Sequence, residues 1–282
     1  MLKSLLNELV DQQTEGVFNY SIVVVDNDGA RSAEPVVEEF ARRSHVRIKY
    51  CVESRQNIAR ARNMAVAHAE GDLVAFIDDD EIPISFWLLT LYKALEKFQV
   101  DGVLGPVRPR FDEQPPKWVI DGKFYERETY PTGLVIDWRK GRTGNLLLKK
   151  KVFAESPEPF RPEFHTGEDQ DFFRRAIERH RVFVWCNEAV AFETVPPRRW
   201  NRRFMLKRAL LRGATSLEHP LPEGRGILRS LIAVFVYSVA LPFALAIKHS
   251  WFMMLLIRLF DHAGKLLALL RINPIKQSYI TE

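Results

Sequence analysis

The most constraining stretch of this chain is a run of apolar residues that leads directly into consecutive acids. Residues 73–77 are all apolar, and the four acids Asp78, Asp79, Asp80 and Glu81 follow without a break. An uninterrupted apolar run of this length predicts a strand buried on both faces of a parallel sheet. The carboxyl end of such a strand is where open α/β sheets bind ligands. Four adjacent carboxylates repel one another, which a divalent cation such as Mg²⁺ or Mn²⁺ would relieve; the alternative is a solvated acidic turn.

Hydrophobic patterns along the chain alternate between strand and helix. Apolar runs predict strands at residues 20–25, 46–52, 73–77, 101–107, 144–148, 182–186 and 189–194. Helical spacing predicts helices at residues 2–10, 35–40, 57–69, 84–98, 166–180 and 198–212. Residues 108–143, which are rich in proline and aromatic residues, predict a long irregular connection. This alternation predicts an α/β fold with a mostly parallel central sheet.

Composition narrows the class of protein further. Of the 282 residues, 46% are hydrophobic and 27% are charged, which excludes wholesale disorder. The two cysteines, Cys51 and Cys186, lie far apart and show no metal-ligand spacing, so we expect a reducing compartment and no structural zinc. Residues 1–10 are too charged for a signal peptide. The net charge is +5, and a basic run at residues 198–212 suits phosphate-bearing partners or an anionic membrane.

The carboxyl-terminal part, residues 214–282, has the pattern of a membrane-associated helical segment. Residues 231–247 contain no charge, although Pro242 interrupts them and the run is slightly short of the ~20 residues that span a bilayer. Residues 251–270 mix apolar residues with scattered charges, which favours an amphipathic helix in the membrane interface. The alternative is a buried pair of helices that packs on the globular part.

Common nucleotide-binding and hydrolytic motifs are missing from the sequence. It contains no GxxxxGK[ST] loop, no GxGxxG, no GxSxG and no HExxH. A nucleotide would therefore have to be held by carboxylates, a metal ion and basic side chains instead of by a glycine loop.

Five segments in order carry a resemblance to a known family. They are VVVDND (23–28), NIARARN (57–63), FIDDDEIP (76–83), TGEDQDFFRRA (166–176) and ETVPPRRW (193–200). In this order and spacing, over about residues 17–213, the chain resembles the family 2 glycosyltransferases of bacterial exopolysaccharide and lipopolysaccharide synthesis. The resemblance implies an inverting enzyme with a Rossmann-like nucleotide-sugar domain, the fold called GT-A.

The resemblance also implies roles for individual residues. Nucleotide-sugar contacts fall on Asp26, Arg60, Asn63, Asp78, Asp79 and Arg199. The implied ligands of the metal ion, Mg²⁺ or Mn²⁺, are Asp80, Asp78 and Glu193. Many members of the family have histidine at the position of Glu193. The catalytic pair is Glu168 and Asp169, with Asp169 as the general base.

Physical chemistry supports a base at this pair. Inversion at an anomeric carbon needs one group that takes the acceptor hydroxyl proton on the face opposite the leaving group. A carboxylate at a helix amino terminus is kept ionised by the helix dipole. The alternative is plain capping, in which Thr166 is the N-cap and Asp169 holds the capping-box position.

We therefore expect a metal-dependent inverting glycosyltransferase that moves a hexose from a nucleotide sugar, a UDP-sugar, to a saccharide or lipid-linked saccharide acceptor. The expected domain covers residues 1–213, with a nucleotide-binding half at 1–107 and an acceptor half at 108–213, on the cytoplasmic face of a bacterial inner membrane. The family usually begins with a further strand that this sequence lacks, so a membrane-bound scaffold without activity stays open. A nucleotidyltransferase is a third reading, and no nucleic-acid recognition module is present.

Overall fold

The computed structural model describes residues 1–164, 166–216 and 225–272, and these residues form two compact units. The first unit comprises Met1–Arg110 and Arg127–Thr194, and the second comprises Phe111–Glu126 together with the chain from Val195 onward. Parts of the predicted membrane segment, at 217–224 and 273–282, lie outside the described residues. Each unit has its own hydrophobic packing.

The first unit holds the alternating strands and helices that the sequence predicts. In chain order they are α1 (Leu2–Val10), β1 (Ile22–Asp26), α2 (Glu34–Arg43), β2 (Ile48–Val52), α3 (Ile58–His68), β3 (Leu73–Ile77), β4 (Glu81–Pro83), α4 (Trp87–Phe98), β5 (Gly102–Leu104), β6 (Val107–Arg110), β7 (Asn145–Lys149), α6 (Glu168–Glu178), β8 (Phe183–Trp185) and β9 (Ala191–Thr194). The α/β class is therefore confirmed.

Strand directions are mixed, which corrects the expectation of a mostly parallel sheet. Strands β1 and β2 form a parallel pair, and the other strands form two sheets with the orders β3-β7-β5-β8 and β4-β9-β6. Strand β7 is antiparallel to both β3 and β5, and β4 is antiparallel to β9. The reason is connectivity: a parallel neighbour needs a crossover, whereas β7 follows a long irregular connection that leaves its direction free.

A break at residues 105 and 106 divides the predicted strand 101–107 into β5 and β6. Pro106 has no amide hydrogen to donate to a ladder, and the Gly105 amide donates to the Asn145 carbonyl oxygen at 3.0 Å. After the break, β6 pairs with β9 in a different sheet. The two short strands therefore serve two sheets, which an apolar run alone does not reveal.

Alternate residues of the central strands enter two different hydrophobic clusters. In β7, Leu147 packs into one cluster with α1, α2 and α4, whereas Leu146 and Leu148 pack into the other with α3 and α6. In β3, Val74 and Phe76 belong to the second cluster, and their neighbours contact the first. The sheet is thus covered on both faces, as the apolar runs predict. The covered sheet fixes where the acids after Ile77 emerge.

The second unit is helical. It contains α5 (Lys117–Asp121), a 3₁₀ turn at Pro197–Trp200, α7 (Arg202–Thr215), α8 (Arg225–Ile247) and α9 (His249–Leu269). Helix α5 lies inside the segment that the sequence predicts to be irregular. It is joined to the carboxyl-terminal helices by an ion pair of 3.0 Å between Asp121 and Lys248 and by an edge contact between Trp118 and His249.

Helices α7 and α9 cross at two glycines. A side chain at Gly213 would overlap the Asp261 carbonyl oxygen, and a side chain at Gly264 would overlap the Leu210 carbonyl oxygen. Arg212 also forms two hydrogen bonds, of 2.9 and 2.6 Å, with the Asp261 carboxylate beside the crossing. The backbones can approach this closely because neither crossing position carries a Cβ atom.

Helix α8 presents an exposed apolar surface. Its residues Gly226–Ile247 are long and apolar enough to cross a membrane, with a mean hydropathy of 2.3, and only 11% of the most apolar stretch is buried. Phe235 and Phe243 are 71% and 68% exposed. Water disfavours such a surface, so the helix is compatible with the predicted membrane association.

Candidate active site

The acidic turn between β3 and β4 is held by backbone hydrogen bonds. The Glu81 amide donates to the Asp78 carbonyl oxygen at 3.1 Å, and the Thr194 amide of β9 donates to the Asp80 carbonyl oxygen at 2.9 Å. Asp79 is exposed, whereas Glu81 is 1% exposed. The turn therefore directs its four carboxylates into different surroundings instead of displaying them all to solvent.

Arg62 connects this turn to the amino terminus of α6. Its side chain is 11% exposed, forms an ion pair with Glu168, and has a guanidinium nitrogen 3.7 Å from Asp78 Oδ1. Burial raises the pKa of Glu168, and the charge of Arg62 acts in the opposite direction. Burial likewise raises the pKa of Asp78, again opposed by Arg62. One buried arginine thus places the acidic turn and the predicted catalytic pair in the same site.

The start of α6 differs from the capping-box prediction. The N-cap is Gly167, at φ 80°, and its helix start has no side-chain cap hydrogen bond, so Thr166 is not the cap. Glycine suits this position because other residues are strained in the left-handed region. Glu168 is buried against Arg62, whereas Asp169 is partly exposed and accepts a hydrogen bond of 2.7 Å from the Gln170 amide. Asp169 is therefore the acid of this pair that is accessible to another molecule.

Two glutamates from neighbouring strands share one arginine. Glu81 and Glu193 are directly opposite each other in the antiparallel β4–β9 pair, where like charges repel. Arg127 forms an ion pair with Glu193 and brings a guanidinium nitrogen to 3.9 Å from Glu81 Oε1. Glu193, predicted as a metal ligand, therefore has a cationic side chain beside it already.

Two carboxylate oxygens, of the donor type that a hard cation prefers, lie beside Gly144. A Cβ atom on Gly144 would lie 2.5 Å from Glu81 Oε1 and 3.1 Å from Asp78 Oδ2, so both oxygens border the gap that this glycine leaves. Burial, followed by the charge of Asp78, raises the pKa of Glu81 well above its ordinary value. Among the described residues no three metal-ligating side chains converge, so a cation here would complete its shell with water and substrate phosphate, as Mg²⁺ commonly does.

Asp26 ends β1 and is used within the protein. Its carboxylate accepts hydrogen bonds from the Tyr50 hydroxyl at 2.8 Å, the Ala33 amide at 2.9 Å and the Asp28 amide at 3.0 Å. Burial and the hydrogen bond to Asp26 raise the pKa of Tyr50 to about 12. These bonds fix the loop that leaves β1, at the edge where the sequence predicts nucleotide contacts.

Asn63 holds a distant loop. Its side-chain amide donates to the Phe160 carbonyl oxygen at 2.7 Å and accepts from the Phe160 amide at 2.9 Å. Asn57, the N-cap of α3, donates similarly to the Pro162 carbonyl oxygen at 2.9 Å. The chain that leads into α6 is thus fastened to α3, while Arg60 on the same helix is partly exposed.

Arg199 belongs to the second unit, in the turn at Pro197–Trp200. Its carbonyl oxygen accepts a hydrogen bond from the Tyr125 hydroxyl, so the turn is joined to the segment that carries α5. The first unit brings together Asp78, Asp80, Glu168 and Asp169, and Arg199 is not among the residues of that unit.

The family resemblance gives no individual role to Arg62, Arg127 or Glu81, although Glu81 is one of the four acids whose mutual repulsion a divalent cation would relieve. Arg62 had a local signal, because it is an arginine within the Ala-rich helix that carries the matched NIARARN segment. Arg127 had none, since its partner Glu193 lies 66 residues away. Glu81 was visible as the last acid of the run, but its burial follows from the pairing of β4 with β9.

Comparison with known proteins gives one family and a set of similar chains. The family described as Glycosyl transferase family 2 matches residues 1–154, more than half of the chain. The succinoglycan biosynthesis protein ExoM of Rhizobium meliloti (strain 1021) is 31% identical over 196 residues, which cover 69% of this chain. The match spans 63% of the length of ExoM.

Solved structures show a similar fold. The crystal structure of S. aureus TarS 1–349 in complex with UDP has a TM-score of 0.53 at 17% identity, covering 94% of this chain and 85% of TarS. The complex of the same protein with UDP-GlcNAc has a TM-score of 0.53 at 15% identity, covering 97% and 89%. At these identities the similarity establishes the fold, which agrees with the predicted GT-A architecture.

Proposed function

This chain belongs to glycosyl transferase family 2, and we propose from its site that it moves a hexose from a nucleotide sugar to an acceptor hydroxyl with inversion. The main support for this proposal is the position of Arg62, which contacts both Glu168 at the start of α6 and Asp78 in the acidic turn. An inverting transfer needs a donor site and a base within one site, and this arginine holds the two candidate parts side by side.

Asp169 is the general base of this proposal. It is partly exposed in the first turn of α6. As the acceptor oxygen forms its bond to the anomeric carbon, the bond from that carbon to the diphosphate breaks, and the hydroxyl proton passes to an Asp169 oxygen. Glu168 is a positioning residue, because its ion pair with Arg62 sets the direction of the helix start.

Asp78 and Asp80 would hold a divalent cation, Mg²⁺ or Mn²⁺. Such an ion supplies positive charge for the departing diphosphate. The gap at Gly144, bordered by Asp78, supports this assignment. Glu193 is a weaker candidate than the sequence alone indicates, because Arg127 already neutralises it.

The donor is proposed to be a UDP-sugar. The TarS complexes with UDP and with UDP-GlcNAc support this class of donor. Arg60 and Asp79, which are partly or fully exposed in the first unit, are proposed to contact it directly. Asp26 and Asn63, whose side chains are hydrogen-bonded within the protein, contribute by fixing the loops around it. A contact from Arg199 remains a prediction from the sequence.

The acceptor is proposed to be a growing saccharide, free or linked to lipid, at the cytoplasmic face of a bacterial inner membrane. The name of ExoM, a succinoglycan biosynthesis protein, supports an envelope polysaccharide, and the exposed apolar surface of α8 supports attachment to the membrane. The cytoplasmic side follows from the expectation that nucleotide sugars and reduced cysteines occur there.

The test uses Asp169→Asn in the full chain, purified in detergent and incubated with UDP-sugars and Mn²⁺. We expect transfer to fall by at least ~100-fold, as for loss of a general base, while calorimetric UDP binding stays within twofold. The matched control is Glu178→Gln at the exposed far end of the same helix, which should transfer normally. Retained turnover in Asp169→Asn would refute the base assignment.

The same experiment separates the other readings. A wild-type chain that binds no UDP with or without metal would point to a scaffold. Release of pyrophosphate in place of UDP would point to a nucleotidyltransferase.

A further inference from the structure

Glu81 is buried beside the acidic turn, and only one of its two carboxylate oxygens has a hydrogen bond: Oε2 accepts from the Asp78 amide at 3.4 Å. Its side chain is 1% exposed, and Oε1 accepts no hydrogen bond from any residue in the described part of the chain. Arg127 lies 3.9 Å from this oxygen, which is beyond hydrogen-bonding distance, and its other nitrogen is committed to Glu193. Burying a carboxylate oxygen without a hydrogen bond costs folding free energy unless another group occupies the space next to it.

The space before Glu81 Oε1 is the gap at Gly144. The position that a Cβ atom would take there lies 2.5 Å from Glu81 Oε1 and 3.1 Å from Asp78 Oδ2. Two carboxylate oxygens from opposite ends of one short turn therefore border the same small volume. Ile77, the residue before Asp78, pairs with Asn145, the residue after Gly144, so the β3–β7 register fixes this juxtaposition.

We infer that Glu81 is a ligand of the divalent cation, sharing it with Asp78 across the gap at Gly144. This inference rests on the proposed metal dependence and changes its ligand set, because Glu81 takes the place that sequence matching gave to Glu193. Arg127 then has a separate task, which is to neutralise Glu193 so that the two facing glutamates can coexist. Carboxylate oxygens are the donors that Mg²⁺ and Mn²⁺ prefer, so Glu81 would add such an oxygen to those of Asp78 and Asp80, and water and phosphate oxygens would complete the shell.

The test measures Mn²⁺ binding to the full chain in detergent, by calorimetry and by the rise in melting temperature with added Mn²⁺, in the presence of UDP. In Glu81→Gln, Mn²⁺ affinity should fall by more than the ~10- to 100-fold typical of residues that only support a ligand, and the Mn²⁺-dependent rise should disappear. Without metal, this variant should melt no lower than the wild type, because the substitution removes a repelling charge and keeps the volume.

Two further variants make the result specific. Glu53→Gln replaces another buried glutamate of the same unit, one paired with Arg55, and should leave Mn²⁺ affinity unchanged. Glu193→Gln should lower Mn²⁺ affinity by less than threefold, about 0.7 kcal/mol by the relation of tenfold to 1.4 kcal/mol. Equal Mn²⁺ affinity in Glu81→Gln and the wild type would overturn the inference, as would a larger loss in Glu193→Gln than in Glu81→Gln.

Failure of this inference is distinguishable from failure of the proposed function. If the wild type binds Mn²⁺ with UDP and Glu81→Gln does so equally well, only the assignment of Glu81 is wrong. If the wild type binds no Mn²⁺ although it transfers sugar, the proposed metal dependence is wrong, and the assignment of Glu81 falls with it.

Discussion

Asn145 should be among the most sensitive polar residues of the first unit. Its side chain is 2% exposed, accepts a hydrogen bond of 2.7 Å from Trp87 Nε1, and donates to the carbonyl oxygens of Pro106 and Ala189 at 3.0 and 2.7 Å. One side chain thus joins β7 to α4 and to the two links that follow β5 and β8. We predict that Asn145→Leu, which keeps the branching of the side chain but removes its polar atoms, destabilises the protein strongly.

The magnitude follows from the partners. Each of the three hydrogen bonds contributes about 1 kcal/mol net, which gives about 3 kcal/mol. Trp87 Nε1 would also be left buried without its partner, at a further cost of about 1–3 kcal/mol. The Pro106 carbonyl oxygen would suffer less, because it also accepts from the Ala191 amide at 3.0 Å. The expected loss is therefore about 4–6 kcal/mol of unfolding free energy.

Urea unfolding of the full chain in detergent, followed by tryptophan fluorescence, measures this loss. Trp87→Phe, which removes one of the three bonds, should cost less, and the double variant should reveal a coupling of about 1 kcal/mol between the two positions. Asn19→Ala, at an exposed asparagine, is the control and should stay within about 0.5 kcal/mol of the wild type. A loss below about 1 kcal/mol in Asn145→Leu would refute the account of this network.

Two further predictions concern other parts of the protein. The pKa of Tyr50 is raised to about 12, so its hydrogen bond to Asp26 stabilises the folded protein. This stabilisation should be complete below the ordinary tyrosine pKa of ~10 and should disappear as the pH rises towards 12. The difference in melting temperature between wild type and Tyr50→Phe should therefore shrink over that range, and a constant difference would contradict the prediction. Gly264→Ala, which sets a Cβ atom against the Leu210 carbonyl oxygen, should cost about 1–3 kcal/mol by urea unfolding. Gly226→Ala should cost less, since its new atom meets only the flexible end of a lysine, and equal losses would argue against the crossing as the cause.

The order of strands and helices could be predicted because each element carries its own periodicity. Leu146, Leu147 and Leu148 indicate a strand covered on both faces, and they pack in that way. The direction of β7 could not be predicted, because the pattern of side chains in a strand is the same whichever way the strand runs. Pairing partners depend on the connections, and the connection before β7 has no regular pattern.

The parts of the candidate site that are short local motifs could be predicted from the sequence. The parts that depend on the register of paired strands could not. The acidic turn and the pair Glu168–Asp169 are visible as short runs, and the structure brings them together through Arg62. The encounter of Glu81 with Glu193 exists only because β4 and β9 pair in one register, and Arg127 reaches them from a distant part of the chain. Such encounters have no counterpart in local spacing.

The second unit is assembled from two stretches of chain that are separated by much of the first unit, and this has a practical consequence for expression. Removing everything after Thr194 to obtain a water-soluble enzyme would leave Phe111–Glu126 inside the shortened product. That loop would then expose Val119, which packs with Val195 and Trp200 in the intact chain. Asp121 would also lose its ion pair with Lys248. A shortened protein made this way would expose a new hydrophobic loop in place of the hydrophobic helix that was removed. Replacing the outward-facing residues of α8 with polar ones is therefore the sounder route to solubility.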